Sequence, residues 1–375
     1  MGAGPAGCHA GYLLARRGWK ILILEKAEKP GTTTACGGAI FALLVQKLGI
    51  ENIIENVCYD VIIRYKNKIS HYKSRFPITL MIRRSIFDKY LAMKAQQAGA
   101  VILCGVSAKY INKSMPTIKC VSSHSAKDFI FKGKCLILAD GPTTIGNSIN
   151  LGFNRRHQLF IPAIKADVEV DEKPDAIEFV VESDFLHAGY CWVFPKKKIL
   201  NIGLGGITLV KNTKLHAILD SFLQNYFDGK QVKKINIKGG IVPLETAKKF
   251  AAGKVLVIGD AAGLVNPVTG GGIHYAIKSA EIAAYLIGKK LVKKQEMNLQ
   301  SYNTLIKLNL YYPWLKTMRI VLNILLKSGK YKSSGYYYFM KCYFFMLLMF
   351  SNLLYARGKT KNMTGGKSAN NEKNN

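Results

Sequence analysis

Three glycines near the start of the chain have the spacing of a phosphate-binding turn. Gly2, Gly4 and Gly7 form a GxGxxG pattern, and Glu25 ends the apolar run 21–24 that follows. In a strand–helix–strand unit, such glycines let the backbone approach a pyrophosphate at a helix N-terminus, and an acidic residue after the next strand holds a ribose hydroxyl. The pattern therefore predicts a dinucleotide site.

A later segment of small residues carries a second candidate sugar ligand. The apolar run 255–258 leads to Asp260, and three glycines at 270–272 precede Ile273. The Asp260 carboxylate could accept a hydrogen bond from a sugar-alcohol hydroxyl. The bare backbone at Gly272 leaves N–H groups open to a phosphate or to a flat ring with a carbonyl.

A basic residue and a thiol between these segments have two interpretations each. Arg84 opens a predicted helical stretch over 85–99, where it could reach a cofactor phosphate or pair with Asp88. Cys36 begins a Cys-Gly-Gly turn, where its thiol could donate a proton beside a ring or could simply pack as a small, soft side chain. The residue types alone leave both pairs of alternatives open.

Aromatic residues alternate along one predicted strand. Tyr190, Trp192 and Phe194 are spaced two apart, which puts all three rings on one face of that strand. They could line a slot for an apolar chain or form ordinary core.

Apolar patterning predicts the elements that hold these residues. A helix over 8–17 follows the glycine turn, and a buried strand over 19–26 follows the helix. Only Met1 precedes Gly2, so we expect the strand before the turn to be truncated and the cofactor site to be destabilised.

Patterning over longer distances predicts an α/β fold with an α+β substrate part. The expected parallel cofactor domain is discontinuous and comprises 1–55, 84–145 and 240–295. The expected antiparallel substrate domain comprises 56–83 and 150–239. We expect a helical, amphipathic C-terminal region over 296–357 and a disordered polar tail over 358–375.

The amino-acid composition favours some classes of binding partner over others. The net charge of +31 comes from 54 Lys and Arg against 23 Asp and Glu; it favours an anionic membrane surface, although a Lys-rich composition accounts for it equally. Nucleic-acid binding is not predicted, because no stripe of basic and stacking aromatic residues is visible.

The apolar run 342–350 is too short to span a bilayer, so we expect either peripheral membrane association or a packed C-terminal subdomain. The 8 cysteines lack metal-like spacing and no signal peptide is visible, which predicts a cytoplasmic protein without a metal.

The order of these motifs resembles a known group of flavoproteins. The glycine turn, Arg84, the Ala-Asp-Gly turn at 139–141 and the segment at Asp260 resemble the FAD-binding domain of glutathione-reductase-like proteins of the para-hydroxybenzoate-hydroxylase type. Within that group, the turn at Cys36 and the YxWxFP-like run 189–195 resemble the geranylgeranyl reductase family. The resemblance extends from Met1 to about Leu291.

The resemblance implies roles at the matching positions. The implied FAD-binding residues are Gly2, Gly4, Ala6, Gly7, Glu25, Cys36, Gly37, Ala39, Arg84, Val106, Asp260, Gly272 and Ile273. Cys36 is the implied catalytic candidate. The implied substrate wall consists of Tyr190, Trp192 and Phe194.

The implied activity is reduction of isolated carbon–carbon double bonds in a geranylgeranyl chain on a lipid, diphosphate or pigment. Such a bond has no carbonyl to polarise it, so a hydride from reduced flavin and a proton to the other carbon are required. The resemblance allows NAD(P)H, a ferredoxin or a quinol as the external reductant. An FAD-dependent aromatic monooxygenase or halogenase and a degenerate membrane-associated flavoprotein are the alternatives.

Overall fold

A computed structural model gives the fold of most of the chain. It describes residues 1–32, 35–112, 115–123, 128–148, 160–181, 186–209, 214–309, 311–328 and 335–356; the predicted tail 358–375 lies outside them. The strands are β1 (Leu22–Leu24), β2 (Ala39–Phe41), β3 (Ile54–Cys58), β4 (Asp60–Tyr65), β5 (Lys68–Lys73), β6 (Thr79–Ile82), β7 (Val101–Leu103), β8 (Val106–Asn112), β9 (Thr117–Ser122), β10 (Asp128–Lys132), β11 (Leu136–Leu138), β12 (Phe160–Glu169), β13 (Ile177–Val180), β14 (Leu186–Pro195), β15 (Ile199–Leu209), β16 (Lys234–Pro243), β17 (Ala251–Ala252) and β18 (Val255–Val257). The helices are α1 (Pro5–Ala15), α2 (Leu43–Leu48), α3 (Arg84–Gln97), α4 (Ile145–Ser148), α5 (Leu215–Tyr226), α6 (Ile273–Val292), α7 (Ser301–Leu308), α8 (Tyr311–Lys327) and α9 (Gly335–Ala356), with 3₁₀ turns at Glu51–Ile53 and Gly259–Ala262.

Short parallel strands form the half of the molecule that contains the glycine turn. β1 pairs with β7, and β11 pairs with β18, in parallel. The first two residues lie between these pairs: the Gly2 N–H donates to the Leu24 carbonyl at 2.7 Å, the Met1 amino group donates to the Ile137 carbonyl at 2.7 Å, and the Ala139 N–H donates to the Met1 carbonyl at 2.8 Å. The backbone of Met1 and Gly2 thus joins the two strand pairs, and burial lowers the pKa of the Met1 amino group.

Helix α1 packs against α3 and α6 over this half. It begins at Pro5 rather than at the expected residue 8, because proline's fixed φ suits the first turn of a helix and its missing N–H costs nothing there. Small side chains along α1, including the buried Ala6 and Ala10, permit close helix packing.

A seven-stranded sheet forms the other half, in the order β16-β12-β15-β14-β13-β4-β5. All of its pairs are antiparallel except β13 with β4. Alternate residues of β12, β14 and β15 pack on α5, and the residues between them face the cavity described below. β3 and β6 pair instead with β2 in a three-stranded sheet. The mixed α/β architecture with an antiparallel sheet is confirmed, while the domain boundaries stay a prediction.

The C-terminal region is helical, as expected. The Arg319 side chain on α8 donates to the carbonyls of Leu244, Gly263 and Val265 at 2.6 to 2.9 Å, which anchors the helix to the loop after β16 and to the turn after Asp260. Within the described ranges, no helix combines the length and the apolarity that crossing a bilayer requires.

Candidate active site

The glycine turn is shaped by two close backbone contacts. A side-chain carbon on Gly2, which has φ +97°, would lie 2.3 Å from the Ala139 carbonyl oxygen, and one on Gly7 would lie 1.9 Å from the Gly2 carbonyl oxygen. Gly4, by contrast, faces open space and precedes α1 without a side-chain cap. The turn therefore exposes the positive end of α1 to a ligand, with Ala6 buried behind it.

Glu25 links the turn to the neighbouring strands. Its carboxylate accepts hydrogen bonds from the N–H groups of Ala3 at 2.7 Å and Ala27 at 2.9 Å. Its carbonyl accepts the Val106 N–H at 2.9 Å. The structure thus brings the glycine turn, Glu25 and Val106 together, although they are far apart in the chain.

Arg84 and the Cys36 turn face one another. Of the two interpretations of Arg84, the structure shows the ion pair: Nε and Nη2 donate to the Asp88 carboxylate at 2.8 and 2.9 Å. The guanidinium also lies near enough to Cys36 for an electrostatic interaction, and both side chains line the cavity described below. The Gly38 N–H contacts the Cys36 sulfur at 3.4 Å, so the thiol has a cation and a backbone donor nearby.

The loop around residues 260–273 closes the opposite side. Gly272 lies against the Asp260 carboxylate, since a side-chain carbon there would be 2.6 Å from Oδ1. Ile273 begins α6. The Tyr190 hydroxyl donates to the Thr269 carbonyl at 2.6 Å, which ties this loop to the seven-stranded sheet.

These segments line one cavity of about 260 Å³. Its lining includes most of the predicted site residues: Cys36, Gly37, Ala39, Arg84, Tyr190, Trp192, Phe194, Asp260, Gly272 and Ile273. Pro5, at the start of α1, also lines it, while Glu25, Val106 and the glycines lie around the same end of α1. The assigned roles of these residues stay predictions.

Aromatic rings form a continuous wall of the cavity. Phe179 on β13 contacts Tyr190, Phe194 and Phe344, with ring centres 5.2, 5.5 and 4.8 Å apart. Trp192 lies between Tyr190 and Phe194, at 6.1 Å from each. Burial holds the pKa of Tyr190 well above its ordinary value, so its hydroxyl stays neutral.

Sequence reasoning missed part of this site. Phe179 and four residues of α9 also line the cavity; the α9 residues are Tyr336, Tyr343, Phe344 and Leu347. The aromatic richness of α9 was a signal for them, but it gave no indication of which face is covered. Sequence reasoning also missed Lys196, which is 3% exposed beside the Cys36 turn and whose pKa is lowered by burial.

The residues present fit FAD. An uncapped helix start beside open backbone at Gly4 suits a pyrophosphate, and Glu25 lies next to that turn, where a ribose hydroxyl would need a carboxylate. Asp260 and the glycine-rich start of α6 border the aromatic cavity, where a ribityl chain and a flat ring would follow.

Comparisons with known proteins agree with this geometry. The family model of the geranylgeranyl reductase catalytic domain matches residues 162–242, and that of the Thi4 family matches residues 1–111. The chain is 30% identical over 319 residues to a digeranylgeranylglycerophospholipid reductase of Methanocaldococcus jannaschii, covering 80% of each chain. It is 31% identical over 302 residues to digeranylgeranylglycerophospholipid reductase 2 of Methanothermobacter thermautotrophicus, covering 76% of this chain and 75% of that one.

Solved structures of other proteins share the fold of this chain. A geranylgeranyl bacteriochlorophyll reductase-like protein of Thermoplasma acidophilum superposes with a TM-score of 0.74 at 25% identity, covering 87% of this chain and 88% of that one. A myxobacterial FAD-dependent halogenase has a TM-score of 0.65 at 16% identity, covering 84% and 80%, and shares the fold alone. The predicted fold class and family are confirmed: the chain belongs to the geranylgeranyl reductase family.

Proposed function

We propose that this protein is an FAD-dependent oxidoreductase that reduces isolated carbon–carbon double bonds of a geranylgeranyl chain. One observation carries the proposal: the aromatic wall and the segments that fit a flavin face the same cavity. An apolar chain in that cavity would lie against the rings of Phe179, Trp192 and Phe194, next to the Cys36 turn. The names of the relatives favour a prenylated glycerophospholipid over a diphosphate or a pigment.

The chemistry divides between cofactor and protein. A reduced flavin, held by the glycine turn, Glu25 and Asp260, would supply the hydride for one alkene carbon. The other carbon needs a proton, and the Cys36 thiol is the donor that we propose: its S–H bond breaks as the new C–H bond forms. The thiolate left behind is stabilised by the Arg84 guanidinium and takes a proton back from solvent.

The aromatic residues bind the chain and exclude water. Neutral Tyr190 holds the 260–273 loop against the sheet through Thr269, so the apolar wall and the flavin side of the cavity keep a fixed separation. A dry cavity prevents loss of the hydride to side reactions.

The external reductant is NAD(P)H, a ferredoxin or a quinol. Each would deliver electrons to a bound flavin before the prenyl chain is reduced, so the donor that bleaches the visible flavin bands under anaerobic conditions would identify the reductant.

Peripheral contact with an anionic membrane surface would deliver such a substrate. Helix α9 supports this because Tyr343 and Phe344 line the cavity, while Tyr338 and Phe345 on its other side are 46% and 57% exposed. The Lys341 ammonium lies 5.9 Å from the centre of the Tyr338 ring. Exposed aromatic residues beside lysines are typical of surfaces that rest on anionic lipid.

Anaerobic flavin reoxidation tests the activity. The FAD-loaded protein is reduced and mixed with a geranylgeranylated glycerophospholipid or its saturated counterpart. We expect only the unsaturated lipid to restore the oxidised flavin spectrum. Cys36→Ala should slow that reoxidation about a hundredfold, whereas Cys342→Ala, at an exposed thiol on α9, should leave it unchanged.

Three results would count against the proposal. A chain that stays colourless after FAD addition would be a degenerate flavoprotein. Reduced flavin that reacts with oxygen to a hydroperoxide, but with neither lipid, would favour a monooxygenase. A Cys36→Ala variant with the wild-type rate would assign Cys36 to packing instead of proton donation.

A further inference from the structure

A row of polar residues lies on the cavity face of the seven-stranded sheet. Asp167 on β12 stands opposite Asn201 on β15, and Lys165 stands opposite Gly203. Gly203 in turn stands opposite Trp192 on β14. Residues two apart on neighbouring strands are diagonal neighbours within reach of long side chains, so the Trp192 ring can cross Gly203 to reach Asn201.

Hydrogen bonds connect this row in a fixed direction. The Trp192 indole N–H donates to Asn201 Oδ1 at 2.9 Å, and Asn201 Nδ2 donates to Asp167 Oδ1 at 2.6 Å. Lys165 and Asn236 donate to Asp167 Oδ2 at 2.7 and 2.8 Å. Because the carboxylate requires the Asn201 amide NH₂ as a donor, the amide oxygen is left for the indole.

Two glycines without side chains leave room for the Trp192 indole ring. A side-chain carbon on Gly203 would lie 2.2 Å from Trp192 Cζ2, so any other residue would displace the ring. Gly37 also approaches the ring, since a side-chain carbon there would be 3.4 Å from the indole nitrogen. Two glycines thus lie close to the ring, and one hydrogen bond aligns it.

Burying these polar side chains costs free energy, which indicates that they have a functional role. Asn201 is fully buried and Asp167 is 6% exposed, and burying such groups is expensive unless they are fully hydrogen-bonded. An apolar pair at these positions would avoid that cost but would leave the indole free to rotate about its side-chain bonds.

We propose that Asp167 and Asn201 are positioning residues that fix the Trp192 indole so that the substrate chain lies in one orientation across the cavity. The inference rests on the proposed function, because it assigns the indole to the substrate wall. Asp167 and Asn201 would align the substrate chain only, since the hydride would come from a bound flavin and the proton from Cys36.

Steady-state kinetics of two variants test the alignment. Asn201→Leu keeps the volume and removes both hydrogen bonds, and we expect kcat/KM for the prenylated lipid to fall about tenfold with FAD affinity unchanged. The matched control is Asn236→Gly, which removes a different donor to Asp167. Glycine tolerates the φ of +56° found at Asn236, so we expect this variant to stay within about twofold of wild type.

A second readout is independent of activity. The 3 tryptophans labelled with 5-fluorotryptophan give separate fluorine NMR signals, and Trp192→Phe assigns one of them. We expect Asn201→Leu to shift or broaden the Trp192 signal alone, and Asn236→Gly to leave it in place. If Asn201→Leu does not fold, Asp167→Asn serves as the second variant and should move the same signal.

The NMR and kinetic results test separately whether Asp167 and Asn201 position the Trp192 ring and whether that ring aligns the substrate. An unchanged Trp192 signal in the folded variants would overturn the positioning role. A shifted signal with wild-type kcat and KM would overturn its link to the substrate. A wild-type protein that binds FAD but reduces no prenyl chain would refute the proposed function, and the NMR signal would still decide the positioning role.

Discussion

At the residue scale, the Cys36 turn depends on a backbone position that tolerates only glycine. Gly38 has φ +78°, and a side-chain carbon there would lie 2.1 Å from the Ile82 carbonyl oxygen. Gly38→Ala must therefore move the turn as well as strain the backbone. We expect it to destabilise the fold by about 2–3 kcal/mol and to weaken FAD binding, as measured by urea unfolding and by FAD titration.

Gly99→Ala is the matched control for that substitution. Gly99 has φ +101°, but a side-chain carbon there would meet nothing within 4 Å, so the variant bears the backbone strain without the clash. We expect a loss of about 1 kcal/mol and unchanged FAD binding. Equal effects of the two variants would show that the contact with Ile82 is unimportant.

At the scale of elements, an ion-pair cluster joins three helices in the half of the molecule that contains the glycine turn. Glu281 on α6 lies 2.5 Å from Lys47 on α2, 3.5 Å from Lys278 and 3.6 Å from His9 on α1. Burial alone would raise the pKa of Glu281, but the neighbouring His9, Lys47 and Lys278 outweigh it and lower the pKa from 4.5 to about 2. The ionised form therefore stabilises the fold above pH 4.5, and that contribution is lost as the pH falls toward 2.

Glu281→Gln should expose this dependence. We expect the variant to be less stable than wild type by roughly 2–3 kcal/mol near neutral pH, with the difference shrinking as the pH drops below 5. The control is Glu169→Gln, which breaks the exposed pair with Lys233 and should cost less than about 1 kcal/mol. Urea unfolding at several pH values measures both; a difference independent of pH would contradict the assignment.

Local patterns predicted the elements better than the contacts between them. The glycine spacing and the apolar run before Glu25 predicted the turn, helix α1 and strand β1, because each depends on neighbours in the chain. The shared wall of Phe179 and Phe344 depends on packing between distant segments, which no local pattern encodes. Asp167 and Asn201 were missed for the same reason, since their partnership follows from the register of β12 against β15.

At the scale of the whole molecule, the exposed face of α9 and the net charge of +31 predict binding to anionic vesicles. Phe345→Glu would place a carboxylate at a side chain that is 57% exposed on that face, so we expect flotation with phosphatidylglycerol vesicles to fall about tenfold or more. Ile130→Glu is the control, because Ile130 is 62% exposed on β10, which belongs to a different sheet from the strands that α9 contacts. Equal loss in both variants would indicate a response to net charge alone.

The mass of the lipid after anaerobic turnover decides whether this protein reduces prenyl double bonds. The FAD-loaded protein, reduced and free of oxygen, is incubated with a geranylgeranylated glycerophospholipid, and the product is analysed by mass spectrometry. We expect a gain of two hydrogen masses for every double bond reduced, with one flavin oxidised for each bond. A lipid of unchanged mass beside flavin that stays reduced would contradict it.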